Sequence, residues 1–84
     1  MKDESLRGLI EYLAQTLVDD PSQVQVKETA NGNQVRIELR VARDDMGRII
    51  GKHGRVANSI RMLIRVAAAR QGKRVTLDVI EPLY

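Results

Sequence analysis

One stretch, residues 31–41, restricts the possible folds of this chain more than any other. It begins with Asn-Gly-Asn, residues that tolerate positive φ angles and are typical of a tight hairpin turn. Apolar residues then alternate with charged ones, at Val35, Ile37, Leu39 and Val41. This period of two predicts a strand with one buried and one charged face. The preceding strand, predicted around Val24 and Val26, must run antiparallel to it because a hairpin joins the two.

The first helix is predicted to begin at Leu6, where apolar residues start to recur at helical spacing. They are Leu6, Leu9, Ile10, Leu13 and Leu17. Asp3 and Ser5 are both suited to cap the start of this helix. Asp-Asp-Pro at 19–21 ends it, because a proline disfavours the helical conformation of the residue before it.

Two further helices are predicted on either side of a glycine-containing break at residues 51–54. The first is short, ends at Ile50 and is capped by Asp44 or Asp45. Its apolar side consists of Met46, Ile49 and Ile50. The second covers residues 55–71, is closed by Gly72, and has a predicted core stripe of Val56, Ile60, Leu63 and Ala67. A last strand over 74–80 alternates through Val75, Leu77 and Val79, and Pro82 ends it.

The predicted order is therefore helix, strand, strand, helix, helix, strand. A chain of 84 residues is expected to form one domain, residues 1–84, around one core. The connection from the second strand to the third is a crossover, which usually makes the two strands parallel. We therefore expect an α+β fold with a three-stranded mixed sheet, exposed to water on one face and covered by three helices on the other.

The composition excludes several classes of protein. With no cysteine and a single histidine, the chain has no disulfide framework, and neither a metal site nor another cofactor is expected. No apolar run approaches the ~18 residues of a membrane span, and the first residues lack the apolar stretch of a signal peptide. We therefore expect a cytoplasmic protein without membrane attachment.

Positive charge is concentrated in the second half of the chain. Residues 40–74 contain ten lysines and arginines against two acids, whereas the remainder contains four against nine. An anionic partner would explain this asymmetry, and nucleic acid is the commonest such partner of a small cytosolic protein. The alternative is a solvated helix face without a ligand.

Residues 51–54, Gly-Lys-His-Gly, could bring such a partner close to the backbone. Glycine has no Cβ, and the helix that follows presents unpaired N–H groups and the positive end of its dipole to an anion. Lys52 and His53 are expected to project into solvent between Arg48 and Arg55. A GxxG sequence also occurs as a plain turn between helices, so the four residues alone do not establish a phosphate site.

The context of this loop resembles a known family. Ile-Ile-Gly-Lys-His-Gly at 49–54, followed by an amphipathic helix within a β-α-α-β unit, resembles the signature of KH domains, whose GxxG loop clamps about four nucleotides. The core unit spans about 34–80, and the additional helix and strand before it resemble the bacterial type II arrangement. Over nearly all 84 residues the chain is similar to the stand-alone bacterial KhpA family of RNA-binding proteins.

The resemblance implies a non-catalytic protein that binds single-stranded RNA and acts as a post-transcriptional regulator or RNA chaperone. It implies a backbone clamp with an apolar groove beside it, and the RNA-binding residues would be Gly51, Lys52, His53, Gly54, Arg48, Ile49, Ile50, Arg55 and Asn58. It also implies a homodimer, or a heterodimer with a KH protein of the KhpB (Jag) type, in the control of cell elongation or division. No small-molecule substrate is implied.

Two departures from the family pattern predict modest affinity and loose sequence preference. Many KH domains have a larger aliphatic residue where this chain has Ala57, and the loop at 71–74 is short. The only aromatic residues, Tyr12 and Tyr84, lie far from the glycine loop in sequence. Stacking platforms of the RRM or OB-fold type are therefore excluded, and bases are expected to rest on aliphatic side chains.

Enzyme functions fit the sequence poorly. A P-loop needs four residues between its glycines and a Ser or Thr after the lysine, whereas Gly47 and Gly51 are separated by three and His53 follows Lys52. His53 also has no nucleophile or orienting carboxylate beside it in sequence.

A protein-interaction module, with RNA binding secondary, is the alternative function. Met62, Val66 and Ala69 fall among the charged residues of the last helix, away from its predicted core stripe. Clustered, they would form a contact with another subunit, although single exposed apolar residues are normal in soluble proteins. The two functions are compatible, because pairing two RNA-binding domains raises their avidity.

Overall fold

A computed structural model describes residues 5–82 of the chain. Its helices are α1 (Leu6–Leu17), α2 (Met46–Ile50) and α3 (Arg55–Arg70), and its strands are β1 (Gln25–Asn31), β2 (Gln34–Arg40) and β3 (Arg74–Val79). Three single-turn 3-10 helices lie between them, at Pro21–Gln23, Arg43–Asp45 and Lys52–Gly54. This order confirms the predicted α-β-β-α-α-β arrangement.

α1 begins where the sequence predicts because Ser5 caps it. The Ser5 hydroxyl oxygen accepts a hydrogen bond from the Gly8 amide at 3.0 Å, which satisfies one donor of the first turn. Asp3, the alternative cap, lies outside the described residues. Leu6, Ile10 and Ala14 form the buried face of this helix.

β2 lies in the middle of the sheet, antiparallel to β1 and parallel to β3. Gly32, with φ +62°, stands in the two-residue turn that leads from β1 into β2. The register places Val26, Leu39 and Val79 in one row across the three strands, with Ile37 beside Leu77 in the next row. Side chains directly opposite one another share a face, so the apolar alternation of all three strands meets on one side.

The three helices pack on that apolar side. The largest fully buried side chains come from all three helices and from the central strand β2: Ile10, Ile49, Ile64, Ile37 and Leu39. Burial of one such side chain contributes about 1.5–3 kcal/mol. The opposite face of the sheet is polar, and there Arg36 forms ion pairs with Asp78 at 2.8 Å and Glu38 at 3.7 Å. The predicted mixed sheet with one exposed face is confirmed.

The side of α3 that faces the core is centred about one position away from the predicted stripe of Val56, Ile60, Leu63 and Ala67. Ile60 is buried as predicted and Val56 and Ala67 are half-buried against the core, but the prediction is wrong at Leu63. The buried residues are Ala57, Ile60, Ile64 and Ala68, whereas Leu63 is 54% exposed. The pattern favours a leucine over an alanine as a core residue, but small alanines let the helix backbone lie close to the sheet, where Ile64 fills the remaining space.

The C-terminus of α3 ends as predicted, at Gly72. This residue has φ +69° and donates its amide to the Ala69 carbonyl at 3.0 Å. The Lys73 amide bonds to the Ala68 carbonyl at 2.9 Å, which completes a Schellman motif. The motif turns the chain directly into β3.

Two kinds of feature are absent from the described part of the chain, residues 5–82. It contains no group of three or more His, Cys, Asp or Glu side chains that could hold a metal ion. None of its helices is both long enough and apolar enough to cross a membrane.

Candidate nucleic-acid interface

The loop at residues 51–54 connects α2 to α3 through three unusual backbone conformations. Gly51 has φ +75° and ψ 171°, His53 has φ +58° and Gly54 has φ +76°. Within residues 5–82, His53 is the only residue other than glycine with a positive φ. The turn directs both Lys52 and His53 to solvent, where their side chains are exposed.

The two glycines of the loop have different surroundings. A Cβ on Gly51 would lie 2.3 Å from Cγ2 of Val56 and 2.8 Å from its backbone nitrogen, so no side chain fits there. Its φ and ψ angles also belong to a region that is essentially restricted to glycine. A Cβ on Gly54 would meet nothing closer than Nδ2 of Asn58 at 3.7 Å. Gly51 is therefore required by packing, and Gly54 by its backbone angle alone.

The N-terminus of α3 opens directly onto this loop. Gly54 occupies the N-cap position and has no side chain with which to cap the first turn. The Arg55 amide bonds back to the Lys52 carbonyl, and the following amides of the first turn have no helical acceptor. Arg55 and Asn58 are exposed beside them. This end of a 16-residue helix therefore presents N–H donors, the positive end of the dipole and a cationic side chain at one place.

Arg48, on the other side of the loop, is held by two carboxylates. Its guanidinium contacts Asp19 at 2.8 Å and Asp45 at 3.4 Å, although half of the side chain remains exposed. Its charge is therefore partly neutralised inside the protein. The sequence pattern, which counts Arg48 with the free basic residues, does not show this.

Asp45 does not cap α2 as the sequence predicts. It occupies the N-cap position, but its side chain makes no capping hydrogen bond to that helix, and Asp44 is exposed. The Asp45 carboxylate is 2% exposed and accepts hydrogen bonds from the amides of Asp19 at 3.0 Å and Asp20 at 3.1 Å. A buried carboxylate is most stable where several donors converge on it, and the connection after α1 supplies them. Asp45 thus ties α2 to that connection.

The predicted apolar groove residues do not lie together at the surface. Ile49 is completely buried in the core, so it supports the loop from below. Ile50 is 40% exposed and presents an aliphatic surface next to Gly51. The ligand-accessible part of this site therefore consists of Ile50, the loop and the first turn of α3.

Comparison with known proteins agrees with this architecture. The family described as "KhpA/KhpB, KH domain" matches the chain over residues 7–79, from α1 to the end of β3. The chain belongs to the KhpA/KhpB family of KH domains. The prediction of a type II KH fold is thereby confirmed. So is the prediction that the chain is not an enzyme, because the family is non-enzymatic.

Several curated relatives align with nearly the whole of this KhpA/KhpB-family chain. "RNA-binding protein KhpA" of Clostridium acetobutylicum is 44% identical over 75 residues, which cover 89% of this chain and 100% of the relative. "RNA-binding protein KhpA" of Halalkalibacterium halodurans is 45% identical over 76 residues, or 90% and 100%. The protein of the same name in Treponema pallidum is 40% identical over 73 residues, or 87% and 91%. The aligned regions thus cover nearly the whole of this chain and of each relative.

Arg61 is a further residue near the interface that the sequence pattern does not single out. From the second turn of α3 its Nε donates a hydrogen bond to the Leu77 carbonyl of β3 at 3.1 Å. One of its terminal nitrogens lies 3.4 Å from Oδ1 of Asn58. The contact with β3 joins residues 16 positions apart, so no local signal in the sequence could reveal it.

The outer face of α3 is apolar at several positions. Met62, Val66 and Ala69 are exposed, as the helical spacing predicts, and Leu63 joins them because of the corrected register of the helix. Met62, Leu63 and Val66 are each more than half exposed. In this KhpA/KhpB-family chain the outer face of α3, defined by these four residues, is therefore distinct from the loop that begins the helix.

Proposed function

We propose that this chain binds single-stranded RNA and grips its sugar-phosphate backbone with residues 51–54. The observation that carries the proposal is the construction of the loop. Gly51 is enforced by crowding against Val56, Gly54 adds no side chain, and the uncapped N-terminus of α3 lies directly behind them. A backbone can approach closely here, and a phosphate would meet N–H donors and a helix dipole. The names of the relatives, "RNA-binding protein", support RNA as the ligand.

We propose that the side chains around the loop make different contacts with the RNA. Lys52 and Arg55 are exposed cations that neutralise phosphates, and His53 offers a hydrogen-bond donor. Asn58 extends the polar contacts one turn further along α3, and Ile50 gives a base an aliphatic surface. Arg48 and Ile49 mainly hold the loop in place and do not contact RNA themselves, because Arg48 is ion-paired and Ile49 is buried.

A single small clamp of this kind suits a regulatory role. It contacts backbone without an aromatic platform, so we propose modest affinity, loose sequence preference and activity as a cytoplasmic post-transcriptional regulator or RNA chaperone. Two clamps held together would bind with raised avidity, which favours pairing with a second copy or with a KhpB (Jag)-type KH protein. We propose that such a pair acts in the control of cell elongation or division.

The clamp is tested by reversing its charge. Lys52→Asp combined with His53→Asp should leave the protein folded, because both side chains are exposed, and should reduce crosslinking to RNA at least tenfold, about 1.4 kcal/mol in binding free energy. Lys27→Asp combined with Gln25→Asp, both exposed on β1, makes the same change in charge away from the loop and is the control. Undiminished crosslinking by the loop variant would show that RNA is bound elsewhere.

A second candidate function is pairing through the outer face of α3. It is favoured by the exposure of Met62, Leu63 and Val66 on one helix, because contiguous apolar side chains at a surface mark interaction sites. Met62→Glu combined with Val66→Glu should shift the mass in solution toward the monomer, with Arg70→Glu, also exposed, as the control. An unchanged mass would remove this face from consideration.

A further inference from the structure

Three exposed cations lie close together at the C-terminus of α3, at the end opposite the proposed clamp. They are Arg70, Lys73 and Arg74, and we call them the cationic tip. None of the three forms an ion pair within residues 5–82, whereas Arg36 and Arg48 each contact two carboxylates. The tip therefore presents its full positive charge to solvent.

Two turns of the chain meet at the tip. The Arg74 amide donates a hydrogen bond to the Asn33 carbonyl at 2.8 Å, which brings the turn after α3 beside the hairpin turn between β1 and β2. The register then pairs Arg74 with Gln34. The neighbours that the fold gives to the tip are thus neutral amides.

No acid from the surrounding segments neutralises this charge. Residues 29–37 and 46–77, which form both turns and the whole of α3, contain neither aspartate nor glutamate. On β3 the first acid is Asp78, four residues or about 13 Å from Arg74. Asp78 is itself bound to Arg36 at 2.8 Å. The tip is therefore complementary to an anion from outside the domain.

The fold itself needs at most one of these cations. Arg70 lies in the last turn of α3, where a positive charge interacts favourably with the helix dipole. Lys73 and Arg74 come after Gly72, which closes the helix, and the dipole effect falls off within the last turn. The hydrogen bonds that hold these two residues are made by their backbone amides, so their side chains are free to bind a ligand.

We propose that the cationic tip binds phosphates of the same RNA strand that the clamp holds, so that the strand runs along the length of α3. This inference rests on the proposed RNA binding and adds to it a second contact, remote from residues 51–54. Phosphate contacts position a nucleic acid but carry no sequence information. The tip therefore raises affinity for longer strands without adding a base preference.

The length of α3 sets the length of RNA that reaches both sites. The helix has 16 residues, which span about 24 Å. Nucleotides stacked as in a duplex follow one another at about 3.4 Å, so about seven of them cover this distance beyond the four in the clamp. Arg65, exposed and without an ion pair in the described part of the chain, lies between the two ends. A strand of about twelve nucleotides therefore contacts both sites, and a strand of about four contacts the clamp alone.

The test measures fluorescence anisotropy of labelled oligouridine strands of these two lengths at several salt concentrations. Arg70→Gln, Lys73→Gln and Arg74→Gln, combined in one variant, should weaken binding of the longer strand. They should also make its slope of log affinity against log salt concentration shallower by about 2, the contribution of three phosphates. Binding of the shorter strand should be unchanged, because the clamp lies about three Debye lengths away at physiological ionic strength. Lys73→Gln alone should change the slope for the longer strand by about 0.7.

The control variant combines Lys27→Gln, Arg40→Gln and Arg43→Gln, which removes three exposed and unpaired cations elsewhere on the described surface. It should leave the slope for the longer strand unchanged.

An unchanged slope in the tip variant, or an equal change in the control variant, would overturn the second contact while leaving the proposed clamp intact. An equal loss on both strands, in a tip variant whose circular dichroism matches the wild type, would also overturn it. Failure of the wild type to bind either strand would instead overturn the proposed RNA binding itself.

Discussion

The two sides of the loop at 51–54 are built in opposite ways. On its N-terminal side, called here the entering side, Asp45 is buried, Arg48 is paired with two carboxylates and Gly51 lies against Val56. On its C-terminal side, called here the leaving side, Gly54 has no close contact and Arg55 and Asn58 are exposed. The entering side fixes the position of the loop, and the leaving side is free to contact a ligand.

This difference shows that basic residues close together in sequence do not have equal functions. Arg48 and Arg55 flank the same four residues, and the charge pattern treats them alike. Only Arg48 has acidic neighbours, which the connection after α1 and the start of α2 bring to it. Substitutions on the entering side should therefore act mainly on stability, and those on the leaving side mainly on binding.

The largest effect is expected where the entering side is most crowded. Gly51→Ala combines a backbone strain of about 1–3 kcal/mol with an overpacking cost of similar size against Val56, so we expect a loss of about 3 kcal/mol or more in the free energy of unfolding. Gly54→Ala, which meets only the penalty of a left-handed conformation, should cost about 1–2 kcal/mol. Urea unfolding measures both. Equal losses would mean that the Val56 contact relaxes and that the two glycines have equivalent surroundings.

The next effect concerns the buried carboxylate of the entering side. Asp45→Ala removes the acceptor of the Asp19 and Asp20 amides and a partner of Arg48, and we expect a loss of about 2 kcal/mol because these part-buried donors lose their acceptor. The exposed Asp44 is the matched control, and Asp44→Ala should change stability by less than about 0.5 kcal/mol. A loss at Asp45 no larger than at Asp44 would show that water replaces the carboxylate and that it does not tie α2 to the connection after α1.

The sequence predicts the elements of this fold better than it predicts their contacts. The alternation of Val35, Ile37 and Leu39 with charged residues is a local pattern that fits only a strand with one buried face, and this strand forms as predicted. The register of α3 is less well determined, because several alanines allow more than one side of the helix to face the sheet. In the structure Leu63 lies at the surface and Ala68 lies in the core, although the pattern favours a leucine over an alanine as a core residue.

In the candidate site, too, local features can be predicted from the sequence and long-range contacts cannot. The exposed loop at 51–54 follows from glycine chemistry within four residues and is visible in the sequence. The role of Asp45 depends on amides 26 and 25 positions away, and the hydrogen bond from Arg61 to Leu77 spans 16 positions. Contacts at such separations are set by the packing of the whole fold, and no pattern within either segment encodes them.

The smallest expected effect separates the two flanking arginines directly. Arg55→Gln removes a free cation, so the slope of log affinity for single-stranded RNA against log salt concentration should become shallower by about 0.7, the contribution of one neutralised phosphate. Arg48→Gln should leave that slope unchanged and lower the free energy of unfolding by no more than about 1 kcal/mol, since its ion pairs are half exposed. The measurement is a titration at several salt concentrations with glutamine at each position in turn, which removes the same charge and the same side-chain atoms from both sites. If Arg48→Gln changes the slope as much as Arg55→Gln, a phosphate must displace the carboxylates from Arg48 on binding, and the entering side would also belong to the RNA contact.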